Sequence, residues 1–373
     1  MDSNGVEAPD SLVSSPALSL ASTGESPSPR PAIVLHDGGD AILVIGSESS
    51  SQQSVVISKT AMSLASPVWK AMFERHWSEH EATEIPMLDD DIDAMLIVLR
   101  IAHLRFHEVP QKNGLSIHGL LNLAVVCDKY DLVRLVRPFL DLHGWEQCHF
   151  PDFSKKKNCS PTWFFIAWTF GYSESFELLA RHITKRVGLD ADGIAVVQGK
   201  EEYFPDHMPP GLLEKMLVVR TATITSMLQI IYETLDKVLE GPTCHYPTSA
   251  EACRFMILGS YVSFLIENDL YPVRRSAADI SLSIRSLKYL VNSVKIRTYD
   301  EHDYKLLAST VRSRHNFSPS HPDFSNFLGK GVTSHAICAA ELNLVSRINA
   351  EYQNIPSCVL TSHDAHLVEQ AKK

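Results

Sequence analysis

Residues 58–73 read SKTAMSLASPVWKAMF, and this stretch decides the fold. Lys59, Met62 and Leu64 begin a helix that breaks at Ser66-Pro67. A serine followed by proline fits the N-cap and first position of a new helix, because proline lacks the N–H that this position leaves unpaired anyway. Val68, Met72 and Phe73 supply the buried face of that second helix. Leu64 lies between Met62 and the break, on the face shared with Phe73, and is expected in the core. Immediately upstream, Asp40 opens AILVIG (41–46), an almost wholly apolar run ending in glycine, as a buried strand does. A polar Ser/Glu/Gln turn and SVVIS (54–58) close a hairpin with it.

Downstream, Glu84-Ile85-Pro86 reads as a short extended piece. Asp91–His103 carries apolar residues at Ile92, Met95, Leu96, Val98, Leu99 and Ala102, a helical stripe. The acidic run Asp89-Asp90-Asp91 fits a solvated helix start, where carboxylates complement the macrodipole. Leu115–Cys127 and Leu132–Leu142 form a helical hairpin around the corner Asp128-Lys129-Tyr130-Asp131. Small strands plus these helices make an α+β unit over residues 37–145. Leu64, Val68, Phe73 and Leu99 are its expected core.

Away from this unit the composition changes in both directions. Residues 1–31 hold eight Ser and five Pro with no apolar periodicity. They cannot bury enough surface to offset ordering entropy, so the expectation is a disordered tail. Residues 146–161, with Lys155-Lys156-Lys157, read as a linker. Beyond it the chain reads as all-α. Thr162–Phe170 and Ser175–Val187 are helices broken at Gly171, and 211–240 is free of Pro and Gly after Gly211. Glu251–Glu267, Ile280–Asn292 and Ala336–Tyr352 follow. The expected division is a helical domain over 162–310, then a loop and terminal helix over 311–373. The aromatic group Trp163, Phe164, Phe165 and Trp168 is expected in a helix core.

The chain of 373 residues has a net charge of −10, and residues 37–145 alone contribute nine basic against fifteen acidic side chains. That disfavours a nucleic-acid surface, which needs clustered cations. Seven cysteines without regular spacing, behind a start that lacks a basic-then-apolar leader, suggest reduced thiols in cytoplasm or nucleus. No membrane span is expected; the longest apolar candidate, 212–231, contains Glu214, Lys215 and Arg220.

Motifs that carry chemistry are scarce. Gly38-Gly39-Asp40 lacks the Lys-Ser/Thr of a phosphate-binding loop. There is no Gly-x-Ser-x-Gly elbow and no His-Glu-x-x-His. Cys148 and Cys159 have no histidine at a telling spacing. Cys244, His245, Cys253 and His302 form the best candidate metal set. Cys244 and His245 are adjacent, however, and no second short-spaced pair completes a tetrahedron, so no bound zinc and no cofactor are expected.

The stretch from about Asp37 to Trp145 resembles a BTB/POZ domain of the fungal type along its whole length. Asp40 before the strand, Ser63–Phe73, Glu84-Ile85-Pro86 with the acidic helix start, and Asp128–Asp131 carry the likeness. Residues 161–310 are similar to the helical tail of fungal BTB proteins, through Thr162–Ile183 and Gly211–Leu228. The resemblance implies a non-enzymatic protein-interaction scaffold that forms a homodimer. The alternative it leaves open is a substrate adaptor that binds a cullin-type ubiquitin ligase. It further implies that Asp40 and Lys59 sit in a partly buried charged pocket near the dimer interface. Many relatives open the first helix with His-Lys or His-Arg; here Ser58 stands in place of the histidine, and Lys59 remains.

Overall fold

The computed structural model describes residues 30–47, 52–74, 77–112, 114–155, 157–241, 244–299 and 335–373. The expected disordered tail therefore lies outside the described residues except for Arg30 and Pro31, as do His302 and residues 311–334 of the expected loop and terminal helix over 311–373.

The chain is α+β. Strands β1 (Ile33–Val34), β2 (Ala41–Ile45), β3 (Gln53–Ile57) and β4 (Glu84–Met87) form a sheet in the order β1-β3-β2-β4. The β2–β3 hairpin is antiparallel with Leu43 opposite Val55, whereas β4 runs parallel to β2 with Ile85 opposite Leu43. β2 is apolar throughout but buries only Ala41, Leu43 and Ile45; the alternate residue Ile42 is exposed. The strand thus has one core face rather than two.

Helices α1 (Lys59–Ala65), α2 (Pro67–Met72), α3 (Ile92–Ala102), α4 (Ile117–Lys129) and α5 (Val133–His143) complete residues 37–145. Side-chain caps set several of their starts. Ser58, Ser66, Asp91 and Ser116 each accept a backbone N–H from three residues on. Ser66 also ends α1, so one residue produces the break between the two helices. Met62, Trp69, Phe73 and Leu99 are buried.

Leu64 and Val68, both expected in the core, are on the outside. Leu64 is 85% exposed and Val68 40%. On α1 only Met62 is buried, and two residues further on the side chain has turned about 200° around the helix axis. Val68 precedes Trp69, the one buried residue of α2, and is rotated off that face in the same way.

Two further expectations are corrected beyond residue 145. The segment 146–161 is no bare linker: Cys159 is buried in the same apolar core as α1–α5, and Phe153 packs on it. That core continues through α6 (Trp163–Phe170), α7 (Ser173–Thr184) and the first turns of α8 (Leu212–Glu240). The region is also not all-α. Val187–Leu189, Ala195–Val197 and Glu202–Tyr203 (β5, β6, β7) form a small antiparallel sheet.

A second core begins where α8 passes Ile224. It gathers the rest of α8, α9 (Ala250–Glu267) and α10 (Ile284–Asn292). The expected helix 336–352 is two helices, α11 (Ala336–Ala340) and α12 (Leu344–Gln353), parted at Asn343 with φ +50°. Both pack on the second core. The 29-residue α8 is about 43 Å long and joins the two lobes. The last helix, α13 (Thr361–Gln370), returns to the first lobe. There Arg137 donates to the carbonyls of Phe170 (2.8 Å) and Gln370 (2.9 Å), and Trp168 stacks on His366 at 3.7 Å.

Among the described residues, Pro247–Glu267 is long and apolar enough to cross a bilayer, with mean hydropathy 1.2. Of that window 28% is buried inside the protein, so the helix lies on the second core along one face. Here Cys253, Ile257, Tyr261 and Leu265 form a buried stripe against α8, and the Tyr261 hydroxyl donates to the Ile231 carbonyl at 2.8 Å.

Candidate functional site

The pocket expected around Asp40 and Lys59 is built at the junction of β2, α1 and the segment before β4. Gly39 lets the chain enter closely: a Cβ there would lie 2.4 Å from Val56 Cγ1 and 2.9 Å from the Ile57 carbonyl. The turn delivers Asp40, whose Oδ1 accepts the Lys59 backbone N–H at 2.7 Å. The Lys59 ammonium goes elsewhere. It donates to the carbonyls of Glu79 (2.9 Å), His80 (2.8 Å) and Ala82 (2.8 Å), which matches its three protons to three acceptors. Lys59 is therefore a clamp that fixes residues 79–82 against α1. Asp40 meets it through the main chain, not as an ion pair.

Above this clamp lies an open groove of about 850 Å³, lined among others by Asp40, Lys59, Ser63, Leu64, Lys70 and Phe73. Its rim carries the exposed Leu64, and Val68 follows on the next helix. Trp77, 61% exposed, lies three residues before the groove-lining His80. The His80 ring in turn bonds the Phe73 carbonyl through Nδ1 at 2.7 Å.

His103 completes the start of α1 and was not singled out by sequence. Its Nε2 accepts the Ser58 N–H at 2.9 Å while Nδ1 bonds the Leu99 carbonyl at 2.8 Å. Burial holds its pKa below the ordinary histidine value. The neutral ring with Nδ1 protonated satisfies both bonds. Forty-five residues separate Ser58 from His103, so no local pattern signals the pair.

The three motif segments meet at a second polar knot. Ser66 Oγ donates to the Tyr130 carbonyl at 2.5 Å. The Tyr130 hydroxyl donates to Asp90 Oδ2 at 2.5 Å, and Lys129 Nζ to Asp90 Oδ1 at 2.7 Å. Burial first, then the Asp90 carboxylate, pushes the Tyr130 hydroxyl pKa upward. Asp90 is thus buried rather than solvated, and only Asp91 serves as the helix cap. A buried carboxylate is tolerated here because both oxygens are bonded.

The aromatic group behaves as expected of a core: Trp163, Phe164 and Phe165 are buried and Trp168 packs against the same cluster. Cys148 is exposed, while burial raises the pKa of the Cys159 thiol, the opposite of nucleophile activation. Of the candidate metal ligands, Cys244 and Cys253 do come together, but His245 points away and bonds Glu341 Oε1 at 2.7 Å. The imidazole that joins the two cysteines belongs to His335, accompanied by Cys338.

Comparison of the chain with protein-family models gives no match, and comparison with curated proteins gives none either.

Proposed function

We propose that residues 37–145 are a BTB/POZ domain and that the chain is a protein-interaction scaffold which self-associates through the α1–α2 face. The observation that carries this reading is the position of Leu64, a large aliphatic side chain 85% exposed at the edge of the groove formed with Asp40 and Lys59. An isolated exposed leucine means little. Here Val68 lies one helix further on and a hydrogen-bonded clamp lies beneath, so two exposed aliphatic side chains stand beside a polar groove whose base is already ordered. Preorganisation lowers the entropic cost of association. A second copy is the natural occupant, since most homo-oligomers are two-fold and use one self-complementary patch. The four-stranded sheet, the Ser66-Pro67 break and the knot of Ser66, Asp90 and Tyr130 support the assignment of the domain, because they use the segments that carry the family likeness.

The test is light scattering on the full chain. Wild type is expected as a dimer at micromolar concentration. The double variant Leu64→Asp, Val68→Asp is expected as a monomer with an unchanged circular-dichroism spectrum, since both side chains face solvent in the single chain. A monomeric wild type, or a double variant that stays dimeric, would refute self-association through this face. Recovery of a cullin with the monomeric variant and with wild type alike would move the reading to a ligase adaptor.

A further inference from the structure

We propose that Cys244, Cys253, His335 and Cys338 form a structural zinc site that staples α11 to the turn between α8 and α9. The four ligand atoms lie within 4.8 Å of one another. Cys244 Sγ is 3.4 Å from His335 Nδ1 and 4.0 Å from Cys338 Sγ. A zinc tetrahedron with ordinary Zn–S and Zn–N bonds has edges of about 3.4–3.8 Å. The two distances from Cys244 already match such edges to within a few tenths of an ångström, and no pair has to close by more than about 1 Å to take up the ion.

Three other observations point the same way. Cys253, His335 and Cys338 are buried and Cys244 is half-buried, yet all four cysteine and histidine heads turn toward one point. Apolar packing alone gives no reason for three thiols and an imidazole to converge inside a core. The thiols are also not a disulfide, because 4.0 Å is about twice an S–S bond. Finally, His335 is already oriented as a ligand. Its Nε2 bonds Ser249 Oγ at 3.1 Å, and with the proton on Nε2 the lone pair of Nδ1 faces Cys244. Metal-bound histidines are held by just such an outer partner. Tyr246 and Tyr299 pack on the His335 ring at centroid distances of 4.6 and 5.4 Å.

The spacing is chelating once the right histidine is found. His335 and Cys338 have two residues between them at the start of α11, and Cys244 and Cys253 bracket the turn into α9. Three thiolates and one imidazole in a tetrahedron suit zinc better than a hard cation, which takes oxygen. Four protein ligands close the coordination shell and leave no position for a reacting water, so the site is structural. On binding, each thiol forms its Zn–S bond with loss of its proton to solvent, three per ion. The staple joins residues about ninety apart in sequence, which makes it worth most in closing the chain between α10 and α11.

The full-length protein, expressed with added zinc and purified in reducing buffer without chelator, is expected to carry about one zinc per chain by elemental analysis. Cys338→Ser and His335→Ala are expected to lose nine-tenths or more of it, and His245→Ala to keep it. A misfolded variant would lose metal for a trivial reason, so the wild type is also exchanged with cobalt. Tetrahedral d–d bands together with thiolate-to-cobalt charge transfer are expected. Wild type with less than a tenth of the zinc, cobalt spectra without thiolate ligation, or a native Cys244–Cys338 disulfide by mass spectrometry would each overturn the site.

Discussion

The two lobes are held together by different means. In the first, each structural decision is local and is then locked by a polar bond to a distant element: Ser66 caps α2 and also bonds Tyr130, and Lys59 opens α1 and also clamps residues 79–82. In the second, α8 and α9 pack through an apolar stripe, and two sets of buried polar side chains tie in segments distant in sequence. One is the Cys/His cluster. The other is Arg220, 2% exposed, whose guanidinium donates to the carbonyls of Ile280 and Leu282. The first lobe distributes its specificity along the chain, whereas the second concentrates it in a few side chains.

The largest effect that separates the lobes comes from cavities. Leu99 and Ile257 are fully buried, one in each core. Leu99→Ala and Ile257→Ala should each cost about 2–5 kcal/mol, from lost transfer energy plus an incompletely collapsed cavity. All five tryptophans lie between residues 69 and 168, so tryptophan fluorescence reports the first lobe only. In urea, Leu99→Ala is expected to move the fluorescence midpoint fully. Ile257→Ala should move the circular-dichroism transition more than the fluorescence one. Equal displacement of both signals by Ile257→Ala would mean that α8 couples the lobes into one cooperative unit and that the contrast is only architectural.

A smaller effect sharpens the difference between local and distributed anchoring. Ser66 and Ser283 are both buried helix caps. Ser66→Ala removes a cap and strips the Tyr130 carbonyl of its serine partner, for about 2–3 kcal/mol. Ser283→Ala removes a cap whose partners, the Ser286 N–H and hydroxyl, lie three residues away, and should cost about 1 kcal/mol. Guanidinium titration of the two variants measures the gap. Equal losses would show that the Ser66–Tyr130 bond adds nothing to a simple cap.

This contrast also explains what the sequence made legible. The break at Ser66-Pro67, the hairpin around Asp40, and the helices up to residue 143 rest on caps, prolines and periodicity within a few residues, and each was readable. Leu64 was misplaced because helix α1 is too short for its apolar pattern to define a face; Met62 alone points inward. The buried state of Asp90 depends on Tyr130, forty residues on. The small sheet β5–β7 has strands of two or three residues, below the length at which alternation can be seen. In the Cys/His cluster, two of the four members, Cys244 and Cys253, stood in the candidate set that the sequence offered, though no zinc was expected there. The other two are His335 and Cys338, a short pair ninety residues downstream that only the fold brings to Cys244.

The smallest expected effect sits on the seam between the lobes and depends on pH. His182, on α7 of the first lobe, lies against Phe153 with its Nε2 buried and unpartnered. Burial, followed by repulsion from Arg186, Arg285, Lys200 and Lys185, pushes its pKa down to about 4. Arg285 belongs to α10 of the second lobe, so a charge on His182 would act across the seam. The folded pKa lies below the unfolded value of 6.5. Between these two values the unfolded chain binds more protons, so the contribution to stability is complete above pH 6.5 and declines as pH falls toward 4. The residue is half-buried, and the solvent that still reaches it keeps the effect modest. His182→Phe keeps the aromatic contact and removes the proton site. The drop in melting temperature from about pH 7 to about pH 5 should therefore be smaller in His182→Phe than in wild type. Identical drops would place the acid sensitivity of the seam in some other group, and the four cations would then have to be tolerated by His182 in its charged form.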